Sequence, residues 1–256
     1  MTSNPLALQL YTVRDEIATG RAAVLAAIRS CGYGAVEPYD VRADPDAQRA
    51  GLDEAGLAVC SVHARALGEE AEALLDGARR LGADTVIVPA VPPERFAGRA
   101  AVAALARDLN EAAARAADAG LRFGYHNHDF EFAQVDGRAA LEVLADALDP
   151  GVLLEVDTYW AAVGLQDPGA VPALLGRLGD RVRYLHVKDG PATSRDDSMT
   201  AVGTGRMPVT EILAAAPAAE WHVVELDRCA TDMLTAVRDS IGWLAERGLA
   251  TATPAR

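Results

Sequence analysis

Apolar runs of strand length in this chain repeatedly end in charged or histidine side chains. They read VEPYD (36–40), VCSVHA (59–64), FGYHNHDFEF (123–132), VLLEVDTYW (152–160), VRYLHVKD (182–189) and WHVVELD (221–227). Each polar residue comes where a buried parallel strand would end. In an eight-stranded α/β barrel those ends converge on one mouth, where such barrels carry their chemistry. Glu37, His63, His126, Asp157, His186 and Glu225 are far apart in sequence but would face one another there. The pattern points to an enzyme, and within enzymes to one that holds a metal.

The rest of the chain agrees with this architecture. Strands are predicted near 5–10, 34–38, 57–62, 84–88, 121–126, 152–157, 182–187 and 221–225. Ala-rich amphipathic stretches near 20–31, 44–55, 67–81, 97–119, 138–148, 168–178, 207–215 and 231–247 read as helices. Strands alternating with helices imply a parallel sheet with right-handed crossovers. Gly32, Gly56, Gly82 and Gly120 stand where helices should terminate, and Pro168 and Pro208 where helices should begin. The 256 residues suit one (β/α)8 TIM barrel spanning 1–256 as a single domain, a fold of ~250 residues. No Pro/Ser-rich linker divides it. The connection 189–207 is long enough to be a lid or a binding loop, and the tail TATPAR is expected to fray.

Composition narrows the function. A net charge of −13 argues against a nucleic-acid surface, which needs basic patches. Cys31, Cys60 and Cys229 form no CxxC pair, so neither a disulfide framework nor a thiolate metal site is indicated. The start MTSNPLALQL lacks a secretory pattern and no apolar run reaches ~18 residues, so the expected setting is the cytoplasm, away from membranes. GTGRMP (203–208) lacks the third glycine of a dinucleotide fingerprint. Neither a phosphate-binding P-loop nor a GxSxG elbow is present.

Residues two apart on a strand share a face. His126 and His128 therefore point the same way if the strand runs that far, as do Glu155 and Asp157, His186 and Lys188, and Glu225 and Asp227. His222 should face the helices. Burying so many ionisable groups is costly without compensation. A divalent cation resolves the cost for Asp157, His186, Glu225 and one of the two strand-five histidines. Mixed imidazole and carboxylate ligands suit Mn²⁺, Co²⁺, Zn²⁺ or Fe²⁺, with Mg²⁺ less favoured. Lys188 is placed to polarise or protonate a developing oxyanion. His63 would orient a substrate hydroxyl, or serve only as a hydrogen-bonded structural residue. Glu37 would contact substrate or anchor a loop. Glu155, one layer deeper, reads as a structural partner, and Asp189 and Asp227 as loop caps.

LQLYTVRDE (8–16), GYHNHDFEF (124–132), EVDTYWAAVGLQDP (155–168), RVRYLHVKD (181–189) and VGTGRMPVTEIL (202–213) together resemble the sugar phosphate isomerase/epimerase group of xylose-isomerase-like barrels. The resemblance covers nearly the whole chain. It implies one divalent metal at the mouth, held by Glu, Asp, His and Glu from strands five to eight. Asp157, His186 and Glu225 match the last three. His126 stands at the first position, where ketose epimerases carry a glutamate, with His128 close by as the proton-transfer group. Inosose dehydratase is similar here, with its own run of histidines. Glu131 falls near a family position that contacts substrate hydroxyls. Trp160 stands where ketose epimerases hold a substrate-binding histidine. The trinuclear DNA-repair branch needs more histidines than the five in this chain.

The resemblance implies an isomerase or epimerase of a small carbohydrate. The metal would chelate a carbonyl and its neighbouring hydroxyl, His126 or His128 would take the carbon-bound proton, and Glu225 would return one. The alternative is a dehydratase or lyase of an inosose or 3-keto-glycoside. A third reading is a non-catalytic sugar-binding barrel or partner subunit. The apolar outer helices permit a homo-oligomer.

Overall fold

The computed structural model describes residues 4–251, so the tail beyond Thr251 lies outside the described residues. Eight strand positions form a nearly closed parallel barrel. They are β1 Asn4–Gln9, β2 Ala35–Glu37, β3 in two pieces, Ala58–Val59 and Val62–His63, β4 Thr85–Val88, β5 Arg122–His126, β6 Val152–Asp157, β7 Val182–Val187 and β8 Trp221–Val224. Each pairs in parallel with its neighbours in chain order, and β8 returns to β1 through Leu6 opposite His222. The break in β3 is where the sheet changes partner. Ala58 and Val59 pair with β2, whereas Val62 and His63 pair with β4. Cys60 and Ser61 lie between, so the single strand predicted over 57–62 is interrupted.

The helices outside the barrel are α1 Arg14–Cys31, α2 Pro45–Ala55, α3 Ala71–Leu81, α4 Arg99–Asp118, α5 Ala140–Ala147, α6 Thr158–Leu165, α7 Val171–Leu178, α8 Val209–Ala215 and α9 Met233–Glu246. Gly32, Gly56 and Gly82 end helices in the left-handed conformation, which glycine adopts without a Cβ clash. α1 starts upstream of the predicted helix because Gly20 breaks its helical geometry, and the amphipathic pattern is clean only after that kink. α6 was not predicted. It starts directly after the strand predicted over 152–157, and its first five residues are buried, so it carries no polar stripe.

Two apolar cores follow from the alternation along the strands. The larger lies between barrel and helices and takes residues such as Leu6, Leu8, Val36 and Tyr125. The smaller fills the barrel interior with Ala7, Ala35, Cys60, Ile87, Tyr184 and Val223. Tyr184 donates its hydroxyl to Thr85 Oγ1 at 3.1 Å inside that plug. Two residues on from Ala7, Ala35, Tyr184 and Val223, and from Leu153 which packs against them, one pleat closer to the mouth, are Gln9, Glu37, His186, Glu225 and Glu155. The plug therefore forms a dry floor for a polar chamber. No helix among the described residues is long and apolar enough to cross a membrane.

The connection after β7 is held by its first residue. Asp189 accepts backbone N–H groups from Gly190 and Met207 on Oδ1 and from Gly203 and Gly205 on Oδ2, at 2.8–3.0 Å. A Cβ at position 205 would lie 2.1 Å from Asp189 Oδ1, so glycine is needed there. This loop is fastened on itself, and Arg195 ties it to Asp129 beyond β5.

Candidate metal centre at the barrel mouth

β5 to β8 each bring one side chain to a common point. Ligand atoms of His126, Asp157, His186 and Glu225 lie within 4.8 Å of one another, and all four residues are buried. A second group of the same tightness, His63, His126, Glu155 and His186, lies beside it. His126 and His186 belong to both, and their ring nitrogens divide between the two. His126 Nδ1 meets Glu155 Oε2 at 3.0 Å while its Nε2 faces Asp157 Oδ2 at 3.8 Å. His186 Nε2 meets Glu37 Oε2 at 2.8 Å and Glu155 Oε2 at 3.2 Å, while its Nδ1 meets Glu225 Oε2 at 2.7 Å.

The group around Glu155 is an outer layer behind the one around Asp157. Glu155 Oε2 also meets His63 Nε2 at 2.6 Å, so three imidazoles converge on one carboxylate oxygen. An imidazole that donates one N–H to a carboxylate presents its other nitrogen as a lone pair, the arrangement by which metal-binding histidines are oriented. Glu155 and Glu37 stand on the side of His126 and His186 away from Asp157 and Glu225, where they are placed to orient the two rings. Burial holds His126 neutral, well below the usual imidazole range, despite its bond to Glu155. Burial also acts to lower His186, but Glu155 and Glu225 outweigh it and raise the ring well above the usual imidazole range, so a cation binding at Nδ1 would have to displace the proton shared there with Glu225. Burial raises Asp157 to about 6 against the lowering effect of Lys188.

The donor set fits a divalent cation. Two imidazoles and two carboxylates converge in a buried chamber, and the Asp157 Oδ2 oxygen faces Lys188 Nζ at 2.8 Å and His126 Nε2 at 3.8 Å. Asp157 is itself held rigidly, since its Oδ1 accepts from Tyr159 and Trp160 N–H at the start of α6. Asn127 bonds both the N–H and the carbonyl of Asp157. Lys188 is fully buried, with Nζ 2.8 Å from Asp157 Oδ2, 2.6 Å from Glu225 Oε2 and 2.7 Å from Asp227 Oδ2. Burial acts against its charge, but these three carboxylates keep the ammonium charged.

The remaining sequence candidates fall into two groups. His128 lies beyond the end of β5, outside both clusters. It stacks on Phe130 with ring centroids 5.7 Å apart, its Nδ1 is buried without a partner, and burial and Lys188 lower it to about 4. Trp160 stands next to it, with an unpartnered Nε1 and Lys188 5.6 Å from its ring. These two have polar atoms to offer a ligand. Glu37 and Glu131 are fully buried with both oxygens engaged. Glu37 accepts from Gln9 and Ser61 besides His186. Glu131 accepts from Tyr125 Oη and from His128 N–H. For Glu37 this matches the anchoring alternative, and for Glu131 it leaves no oxygen without a partner inside the protein. His63 spans both settings, bonded to Glu155 below and lining a pocket above. Gln9, Ser61 and Asn127 were not anticipated. Gln9 lies inside the apolar run LALQLY, and only the structure ends β1 there.

Solved structures with this fold include a sugar phosphate isomerase/epimerase from Parabacteroides distasonis, with TM-score 0.78 and 23% identity over 99% of this chain and 96% of the other. An L-ribulose 3-epimerase gives TM-score 0.65 and 15% identity, covering 96% of this chain and 94% of the other. A D-allulose 3-epimerase from Methylomonas sp. gives 0.64 and 16%, covering 96% and 99%. At such identities the likeness speaks for the fold. A comparison with curated proteins finds no match. The xylose isomerase-like TIM barrel family matches residues 25–247, most of the chain and all strands but the first, and the protein belongs to that family.

Proposed function

We propose that the protein is a divalent-metal-dependent isomerase or epimerase of a sugar or keto-sugar, moving a proton on a carbon next to a carbonyl. The observation that carries this reading is the convergence of His126, Asp157 and His186 from β5 to β7 and of Glu225 from the residue after β8. These four are the ligands, with Glu155 and Glu37 orienting the imidazoles. The metal, when bound, supplies a Lewis acid that lowers the pKa of the carbon-bound proton.

His128 is the base. Its imidazole is neutral at neutral pH, sits beside the ligand His126 with ring centroids 5.2 Å apart, and has Nδ1 free. Lys188 acts as a fixed positive charge beside the oxygen that becomes negative, because its three carboxylate neighbours hold its proton tightly. Trp160 covers this flank and excludes water, and His63 offers its ring to a substrate hydroxyl. For isomerisation His128 hands the proton it took to the neighbouring carbon. For epimerisation Glu225, whose burial is outweighed by Lys188 and His186 so that it is ionised at rest, takes a proton from solvent and delivers it to the opposite face while His128 releases its own.

A second reading is a lyase, in which the same carbanion expels a β-substituent oxygen. The asymmetry of the site favours it, since β5 supplies an imidazole where the resembled ketose epimerases carry a second carboxylate. Incubation of metal-loaded protein with a panel of ketoses in deuterated water tests the first reading. Deuterium at the carbon beside the carbonyl supports it, and no incorporation across the panel refutes it. Enone absorbance with a 3-keto-glycoside, without back-exchange, selects the lyase.

A further inference from the structure

Two features of the mouth bear on the size and charge of what enters it. The first is the turn after β7. In many barrels the loops after strands seven and eight bind a substrate phosphate through backbone N–H groups. Here those N–H groups, from Gly190, Gly203, Gly205 and Met207, all point at the carboxylate of Asp189. The chain supplies its own anion and fills the place. A protein of net charge −13 also repels a dianion.

The second feature is a pocket of about 340 Å³ beside the centre, over the ends of β1 to β4. That volume lies within the range of small-molecule sites, ~300–1,000 Å³. Among the described residues the only exposed large apolar side chains are Tyr11 and Tyr39, and both line it. Their rings meet edge to face, with centroids 5.4 Å apart. The Arg14 guanidinium lies over Tyr11, 4.2 Å from its centroid, and fixes that ring. Around the aromatic pair stand Asp40, Arg42 and Arg65, and Arg65 has no side-chain partner among the described residues. Arg42 is paired with Glu70 at 3.1 Å, so the rim offers both donors and acceptors and little net charge. Exposed tyrosines next to mixed polar groups suit a ring with an apolar face and a hydroxylated edge. His63 joins the two compartments, because it lines this pocket and bonds Glu155 behind the metal ligands.

We propose that the substrate is an unphosphorylated, two-ring glycoside whose reacting ring carries a carbonyl. Its reacting ring occupies the His126–Asp157–His186–Glu225 centre, and its second ring lies on Tyr11 and Tyr39, with hydroxyls toward Asp40 and Arg65. This rests on the sugar chemistry proposed above for the centre and adds to it the size and charge of the substrate.

Calorimetric titration of the manganese-loaded protein with glucose, glucose 6-phosphate, methyl glucoside, trehalose, maltose, cellobiose and sucrose tests it without turnover. At least one disaccharide binds about tenfold more tightly than glucose or methyl glucoside, the gain that one aromatic face supplies. Tyr39→Ala and Tyr11→Ala remove that ratio, and glucose 6-phosphate gains nothing over glucose. Disaccharides no better than glucose, a ratio untouched by both substitutions, a preference for the phosphate, or no binding of any of the seven each overturns the proposal. Deuterium exchange into ketoses is read separately. A protein that prefers disaccharides but exchanges no proton keeps the second-ring site and loses the isomerase reading, and the opposite result does the reverse.

Discussion

The barrel has a charged cluster at each end, and the two are built on different terms. At the bottom, where β5, β7 and β8 begin, Glu220 receives Arg122 through two bonds of 2.7 and 3.0 Å and Arg183 through its Nε at 2.8 Å. One acid faces two bases, each partly open to water. At the mouth, Glu37, Glu155, Asp157 and Glu225 are buried around His126, His186 and Lys188, and Glu155 Oε1, His128 Nδ1 and Trp160 Nε1 are left without a partner. Buried acid in excess, with polar atoms unsatisfied, costs free energy that a purely structural cluster would avoid. Such sites recur where chemistry is done. The bottom cluster closes the barrel, whereas the mouth is arranged for something that binds.

That contrast breaks most easily at Asp157. Asp157→Asn keeps the shape and the bonds to Tyr159 and Trp160 N–H but removes the charge, so the fold survives. Metal affinity falls by more than the ~10–100-fold typical of residues behind the ligands. Metal titration after chelator treatment measures this, and an unchanged affinity removes Asp157 from the ligand set. The two strand-five histidines come next. His126→Ala loses metal, whereas His128→Ala retains it and slows proton exchange by roughly 10²–10⁴-fold, the range for a general base. The reverse pattern exchanges their roles.

Much of the mouth was legible before any coordinates, because the β-barrel turns a sequence rule into a place. Polar residues that end apolar runs, two apart on a strand, arrive at one level, and Asp157, His186 and Glu225 followed from that rule. What the rule could not give was depth. Glu37 ends a run too, yet sits with both oxygens bonded within the protein, since the rule fixes a face and says nothing of what stands above it. Glu131, which only the family resemblance singled out, is bonded in the same way. It also could not divide His126 from His128, because it does not say where β5 stops. The structure ends that strand at His126. α6 was hidden for a different reason, as a helix buried on all sides has no periodic signal. Glu155 was placed a layer down, but its three imidazole partners come from three different strands and are invisible in sequence. Glu155→Gln sharpens this point. If it orients His126 and His186, the isosteric amide weakens metal binding by ~10–100-fold and spares the rate at saturating metal. Equal affinity in wild type and variant would reduce Glu155 to packing.

The smallest effect belongs to the bottom cluster, and its value lies in what it leaves alone. Burial acts to raise Glu220, but Arg122 and Arg183 outweigh it and hold the carboxyl below its usual 4.5. A group depressed in the folded state contributes stability above its unfolded value, and that contribution disappears as pH falls through the folded value. Glu220→Gln therefore costs about 1 kcal/mol at pH 7, the scale of partly exposed ion pairs. That corresponds to a melting shift of roughly 2–4 °C. The deficit narrows below pH 4.5, where the wild-type carboxyl begins to take up its proton. Metal affinity and deuterium exchange stay as in wild type, because the apolar plug around Tyr184 separates Glu220 from the chamber. Thermal melts at neutral and acid pH, run beside a metal titration, decide the matter. Loss of metal affinity in Glu220→Gln would mean that the two ends are coupled through the plug, and the division between a closing cluster and a working one would fall.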